Sequence, residues 1–174
     1  SAVRDNISEC LDIYYDVIRK KTAVLFAACT KAGALSVGAD DEKAEFARLF
    51  GEYIGLCFQI KDDIFDYQSK GLLGKPTGND IKEKKITLPL LYVLNNCESG
   101  ERSQILRLIK RKNKNQAKVK ELVDLVVSRG GLEYAAQVMN EFREKAIAGI
   151  MEFPEGESRT ALIELVNYTT TRKK

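Results

Sequence analysis

The stretch FQIKDDIFDY, Phe58 to Tyr67, decides how this chain reads. It carries three acids, Asp62, Asp63 and Asp66, in a segment that otherwise has the pattern of a buried helix. Ile54, Leu56, Cys57, Phe58, Ile60, Ile64 and Phe65 cover almost the whole circumference of that helix. Four residues advance a helix by about 400°, so Asp62 and Asp66 lie about 40° apart and about 6 Å along the axis. Asp63, three residues before Asp66, joins the same edge. A buried and unpaired carboxylate costs several kcal/mol. A divalent cation removes the conflict.

The neighbourhood supports that reading. Gln59 stands one turn before Asp62 and Asp63 and projects along the same stripe. The segment that follows, SKGLLGKPTGNDIKEKK (Ser69 to Lys85), is interrupted by Gly71, Gly74, Pro76 and Gly78. It sets Lys70, Lys75, Lys82, Lys84 and Lys85 against Asp80 and Glu83. Mg²⁺ takes oxygen ligands, typically one or two carboxylates plus substrate phosphate oxygens, and lysines bind phosphate as point charges. Acids followed closely by lysines therefore suggest a site for Mg²⁺ and a diphosphate. The plainer alternative is a solvated helix face with a polar loop after it; the apolar surroundings of the acids oppose it. The run GLLGKP lacks the spacing of a P-loop and follows a helix. The aspartates lack the pattern of an EF-hand.

The rest of the chain bounds the answer. Its 174 residues are enough for a sizeable core, and its apolar pattern is helical throughout. The fold class expected is all-α. A net charge of +3 is too balanced to imply a nucleic-acid or membrane partner. Without histidine and without a C-x-x-C pair, Cys/His zinc sites and Ser-His-Asp triads are not expected. Cys10, Cys29, Cys57 and Cys97 are expected to be reduced thiols of a cytoplasmic protein. No apolar run reaches the roughly 18 residues of a membrane span. Expected helices run from about Ser8 to Leu35, with Gly33 and Gly38 at the exit, and from Asp40–Asp41 to between Tyr67 and Gly71. Thr87 with Pro89 should open a short helix to Asn96. Further helices are expected at about Glu101–Lys112, Gln116–Arg129, Leu132–Met151 and Ser158–Thr170.

Taken together, FQIKDDIFDY and GKPTGNDIKEKKITLPLL resemble the second aspartate-rich region of trans-prenyl diphosphate synthases, the polyprenyl and farnesyl type. The pattern resembled is F-Q-x-x-D-D-x-x-D, then G-K, then D-x-x-x-x-K-x-T-x-P. YYDVIRKKTAVLFAACTKAGAL resembles the family's Lys-Thr helix, with Lys21-Thr22 as the pair. GGLEYA (Gly130 to Ala135) and the tail FPEGESRTALIELVNYTTTR are also similar. The resemblance implies an isoprenoid-synthase helical bundle joining an allylic diphosphate to isopentenyl diphosphate with Mg²⁺. Carried over, Asp62 is the main metal ligand, and Asp63 and Asp66 complete the patch partly through water. Lys21, Lys75 and Lys85 contact the allylic diphosphate. Thr22 and Gln59 turn oxygens toward the carbocation. Asp80 has a structural role, and Arg172 matches a basic tail residue. Each has a plainer reading: Lys21 can snorkel to solvent, Thr22 can pack, Gln59 can cap a buried carbonyl, Lys75 and Lys85 can be loop charges, and Asp80 can cap a turn.

The family carries two aspartate-rich motifs on facing helices, and this sequence has one. The basic region that grips isopentenyl diphosphate is not found either. Residues 1–174 are thus expected to form one partial domain, the C-terminal half of a synthase that is homodimeric at full length. Alone, this half is expected to be inactive and prone to self-association through its apolar inward faces. Three other functions compete for the same sequence. A class I terpene cyclase fails because Glu83 and Thr87 stand where its second motif needs Ser and Glu. A catalytically silent synthase-like subunit is opposed by the intact D-D-I-F-D. A helical nucleic-acid-binding module would rest on the basic run Arg107 to Lys120, which has no interleaved aromatics.

Overall fold

The computed structural model describes residues 2–68, 78–83, 85–110 and 116–173, with side chains from Glu9 onward except that of Lys110. All regular structure among them is helical. The helices are α1 (Ala2–Ile18), α2 (Val24–Ser36), α3 (Asp41–Tyr67), α4 (Asn79–Lys82), α5 (Leu88–Asn96), α6 (Ser99–Lys110), α7 (Gln116–Ser128), α8 (Gly131–Met151) and α9 (Glu157–Thr171). None of the described helices is long and apolar enough to cross a membrane.

The chain divides into two compact units. One holds Tyr14 and the residues before it with Asp62–Ala136; the other holds Tyr15–Lys61 with Gln137–Lys173. The first has its core where Tyr67, Ile81, Leu90, Val93, Ile105 and Val126 meet. Burying a side chain of the Val, Leu or Ile class is worth about 1.5–3 kcal/mol, so this cluster fixes the short helices α4 to α7 around the end of α3. The core of the second unit gathers Phe50, Ile54, Ala146, Ile150 and Val166, flanked by Phe26, Tyr53 and Ile163.

Local chemistry sets the ends of α3 and α5. The Asp40 carboxylate accepts the Lys43 backbone N–H at 2.8 Å, capping the start of α3. Thr87 takes the extended backbone of an N-cap, with Pro89 in the first turn of α5, as expected. Its hydroxyl is not used for capping, because it shares a 2.6 Å hydrogen bond with the buried Tyr67 hydroxyl.

Four features depart from the sequence expectation, the first being that α1 begins at Ala2 rather than near Ser8. The long first helix is not continuous: a π-helical turn, Arg19–Ala23, separates α1 from α2, and the Val24 N–H reaches back to the Arg19 carbonyl. Gly33 lies inside α2 rather than at its exit; Gly38 alone follows the helix end. Asn79–Lys82, expected within an irregular loop, forms a helical turn around the buried Ile81. In the second unit α3 lies very close to the π turn and α2. A methyl group on Gly55 would collide with the backbone of Ala23, and one on Gly51 with Thr30 and the Phe26 carbonyl.

Candidate active site

The acidic segment occupies the last two turns of α3. Asp62 and Asp63 are half-buried, while Asp66 is only 8 % exposed. The carboxylates differ in what holds them. The Tyr14 hydroxyl donates to Asp63 Oδ2 at 2.8 Å, and the Leu88 N–H, at the start of α5, points to the same oxygen at 3.4 Å. Asp66 accepts two backbone N–H groups at 3.0 Å, from Asn79 on Oδ1 and from Asp80 on Oδ2. Its carbonyl accepts the Gly78 N–H at 2.9 Å. Gly78 has φ +75° and faces the side chain of Val119 so closely that a Cβ would overlap it; only glycine suits that position.

Asp80 carries the network onward. Its Oδ1 receives the Lys85 ammonium at 3.2 Å, and its carbonyl accepts the Lys85 N–H at 2.8 Å. Glu83 pairs with the same ammonium at 2.6 Å. Glu83 first, and Asp80 second, hold Lys85 above the ordinary lysine range, so it is a full cation at neutral pH. Asp63, Asp66, Asp80 and Lys85 therefore meet around the junction of α3, α4 and α5. Burial pushes the Tyr67 phenol beside them well above its usual range, and the neighbouring aspartates add to the rise. Tyr67 is thus a neutral hydrogen-bonding group.

The remaining expected site residues belong to the second unit or lie outside the described residues. Lys21 and Thr22 lie in the π-helical turn of the second unit, Lys21 exposed and Thr22 half-buried. π turns of this kind recur at functional sites. Gln59, on α3, is only 6 % exposed. The Arg172 guanidinium stacks over the Phe58 ring at 4.3 Å and donates to the Phe58 carbonyl at 3.3 Å. Burial first, and Arg172 second, lower the Lys61 ammonium from its usual range. Lys75 lies outside the described residues, as do Lys70 and Lys84 of the same basic segment and residues 111–115 of the basic run. Tyr14 was missed by the sequence reading: a tyrosine 49 residues before its partner carries no local signal.

Among the described residues no three acidic or thiol groups converge to enclose a metal ion by themselves. The donors offered at the end of α3 are carboxylate oxygens, which suit a hard cation. An open set of this kind fits Mg²⁺, which completes its octahedron with water and phosphate oxygens. The family model described as polyprenyl synthetase matches residues 1–126. This chain belongs to the polyprenyl synthetase family.

Curated relatives and solved structures agree with the family. The chain is 32 % identical over 169 residues to heptaprenyl diphosphate synthase component 2 of Bacillus subtilis, a match covering 97 % of this chain and 47 % of the relative. It is 32 % identical over 162 residues to octaprenyl diphosphate synthase of Escherichia coli, covering 92 % and 50 %. In three dimensions it resembles geranylgeranyl pyrophosphate synthase from Bacteroides thetaiotaomicron, with a TM-score of 0.84 and 43 % identity over 92 % of this chain and 53 % of that one. It also resembles polyprenyl synthase from Caulobacter crescentus complexed with calcium and isoprenyl diphosphate, at a TM-score of 0.85 and 35 % identity, covering 94 % and 50 %. The all-α, isoprenoid-synthase fold expected from the sequence is thus borne out. The chain spans about half the length of the curated relatives it matches.

Proposed function

We propose that this chain supplies one side of a trans-prenyltransferase active site, in which an allylic diphosphate ionises and isopentenyl diphosphate captures the cation. The carrying observation is the gathering of acids and a lysine at the end of α3, in a member of the polyprenyl synthetase family. The Caulobacter crescentus relative, named as complexed with calcium and isoprenyl diphosphate, supports a divalent cation and a prenyl diphosphate as ligands.

In this reading Asp62 is the principal ligand for Mg²⁺, and Asp63 and Asp66 complete the patch partly through water. Bound there, Mg²⁺ supplies positive charge against the departing diphosphate. Lys21, Lys75 and Lys85 bind the phosphoryl oxygens. Thr22 and Gln59 offer oxygen dipoles to the cation without a nucleophilic charge. The Tyr14 hydroxyl fixes the carboxylate of Asp63, so that less reorganisation accompanies binding. The whole enzyme is read as a homodimer, and the 174-residue chain alone as inactive.

The test is condensation of an allylic diphosphate with labelled isopentenyl diphosphate by the full polypeptide that carries this sequence. Product formation that needs Mg²⁺, stops with a chelator and falls at least a hundredfold in Asp62→Asn supports the reading (about 2.7 kcal/mol of barrier). An unaltered rate in that variant contradicts it. Turnover by the 174-residue chain alone contradicts the claim that this half is inactive.

A further inference from the structure

We infer that Asp66 is a positioning residue that sets Lys85 through Asp80. The inference rests on the diphosphate reading of Lys85 and assigns Asp66 a task distinct from that of Asp62. Each Asp66 oxygen accepts a backbone N–H, one from Asn79 and one from Asp80, at 3.0 Å. The Asp66 carbonyl takes a third, from Gly78. A carboxylate accepting two amides in a site this buried is held in one orientation. It in turn holds the first turn of α4 against the end of α3. That turn fixes Asp80, whose carboxylate receives the Lys85 ammonium and whose carbonyl receives the Lys85 N–H.

The chain of contacts is Asp66 carboxylate, Asp80 backbone, Asp80 carboxylate, Lys85 ammonium. Only its last member is well exposed: the Lys85 side chain is 54 % exposed against 22 % for Asp80. Lys85 is therefore the member that can meet a ligand. Asp80, held by Asp66, shares the placing of the Lys85 ammonium with Glu83, which pairs with it at 2.6 Å. Among the three aspartates of the acidic segment, Asp66 acts mainly through backbone and Asp62 through the metal.

Two measurements on the full polypeptide test this. The first is metal-free hydrogen exchange with residue resolution. Asp66→Asn should speed exchange at the Asn79 and Asp80 amides about tenfold or more, because one acceptor becomes an amide nitrogen and the other loses its charge. Asp62→Asn should leave both unchanged, and Asp80→Ala should leave the Asn79 amide unchanged. The Lys85 ammonium resonance should shift in Asp66→Asn and Asp80→Ala alike. The second is calorimetric binding of inorganic pyrophosphate at several Mg²⁺ concentrations. Asp66→Asn, Asp80→Ala and Lys85→Ala should each weaken pyrophosphate by about fivefold to tenfold, and combining any two should add little. Of these variants, Asp62→Asn should raise the Mg²⁺ concentration at half-saturation by far the most. Unchanged Asn79 and Asp80 amides in Asp66→Asn overturn the relay. So does an Asp66→Asn shift in Mg²⁺ half-saturation as large as that of Asp62→Asn. If Asp66→Asn does not fold, Asp80→Ala decides through the Lys85 resonance and the pyrophosphate affinity. A wild-type protein that binds no pyrophosphate refutes the diphosphate reading, while the exchange and resonance data still decide the relay.

Discussion

The Tyr14 hydroxyl donates a hydrogen bond to Asp63 Oδ2 at 2.8 Å, joining a residue of α1 to the acidic turn of α3. Tyr14 is buried and Asp63 half-buried, so the bond between them is partly shielded from water. Tyr14→Phe removes the donor and keeps the ring. A hydrogen bond to a charged group is worth about 1.5–3 kcal/mol, and the half-exposure of Asp63 places this one at the low end. Urea unfolding should show a loss of about 1–2 kcal/mol, together with weaker Mg²⁺-dependent pyrophosphate binding. Unchanged values in both would deny Asp63 its orienting partner.

Close approach of backbones in the second unit gives a prediction independent of function. Gly55→Ala places a methyl group against Ala23, beside the π-helical turn. Alanine gains up to about 1 kcal/mol over glycine in a helix, while overpacking costs about 1–3 kcal/mol or more. Overpacking should win, because the obstacle is backbone rather than a flexible side chain. A lowered melting temperature is expected, whereas a rise would mean that the turn yields easily.

The cysteines should separate by reactivity. Burial pushes the Cys57 thiol up to about 12, and its Sγ donates to the Met139 carbonyl at 3.4 Å. Cys10 and Cys29 are exposed. Alkylation mapped by mass spectrometry at pH 8 should label Cys10 and Cys29 early, and Cys57 only after denaturation. Rapid labelling of Cys57 in the native chain would contradict the packing of α3 against α8.

Glu52 gives a pH dependence. Burial would raise its carboxyl, but hydrogen bonds from Arg48 at 2.6 Å and Arg19 at 2.8 Å outweigh it and hold the group below the usual range. A depressed carboxyl stabilises the fold above its unfolded pKa of about 4.3. That contribution fades as the pH falls through the lower, folded value. Stability measured from pH 6 down to pH 3 should decline, and Arg48→Gln should flatten the decline. An identical pH profile in the variant would show that the pair contributes nothing.

What the sequence disclosed followed from periodicity and caps. The apolar spacing from Phe46 to Phe65 read as one helix and is one, Asp40 caps it, and Thr87 with Pro89 begins α5. The acidic cluster and Asp80 were legible because their residue types and spacing carry chemical meaning. The π-helical turn at Arg19–Ala23 was not, since RKKTA is ordinary helical sequence. A close approach such as that of Gly55 to Ala23 belongs to tertiary packing and leaves no periodic trace. The turn Asn79–Lys82 was hidden for a related reason: its cap is supplied by Asp66, from another element. Tyr14 escaped notice because its partner is distant in the chain.

Acids beginning at Asp62 that hold a divalent cation against a diphosphate should bind metal more tightly when the diphosphate is present. Titrating the full polypeptide with Mn²⁺, observed by electron paramagnetic resonance with and without inorganic pyrophosphate, tests it most directly. Metal uptake should strengthen at least tenfold when pyrophosphate is present, and Asp62→Asn should lose that enhancement. Equal Mn²⁺ uptake by the wild type and Asp62→Asn, indifferent to pyrophosphate, would contradict it.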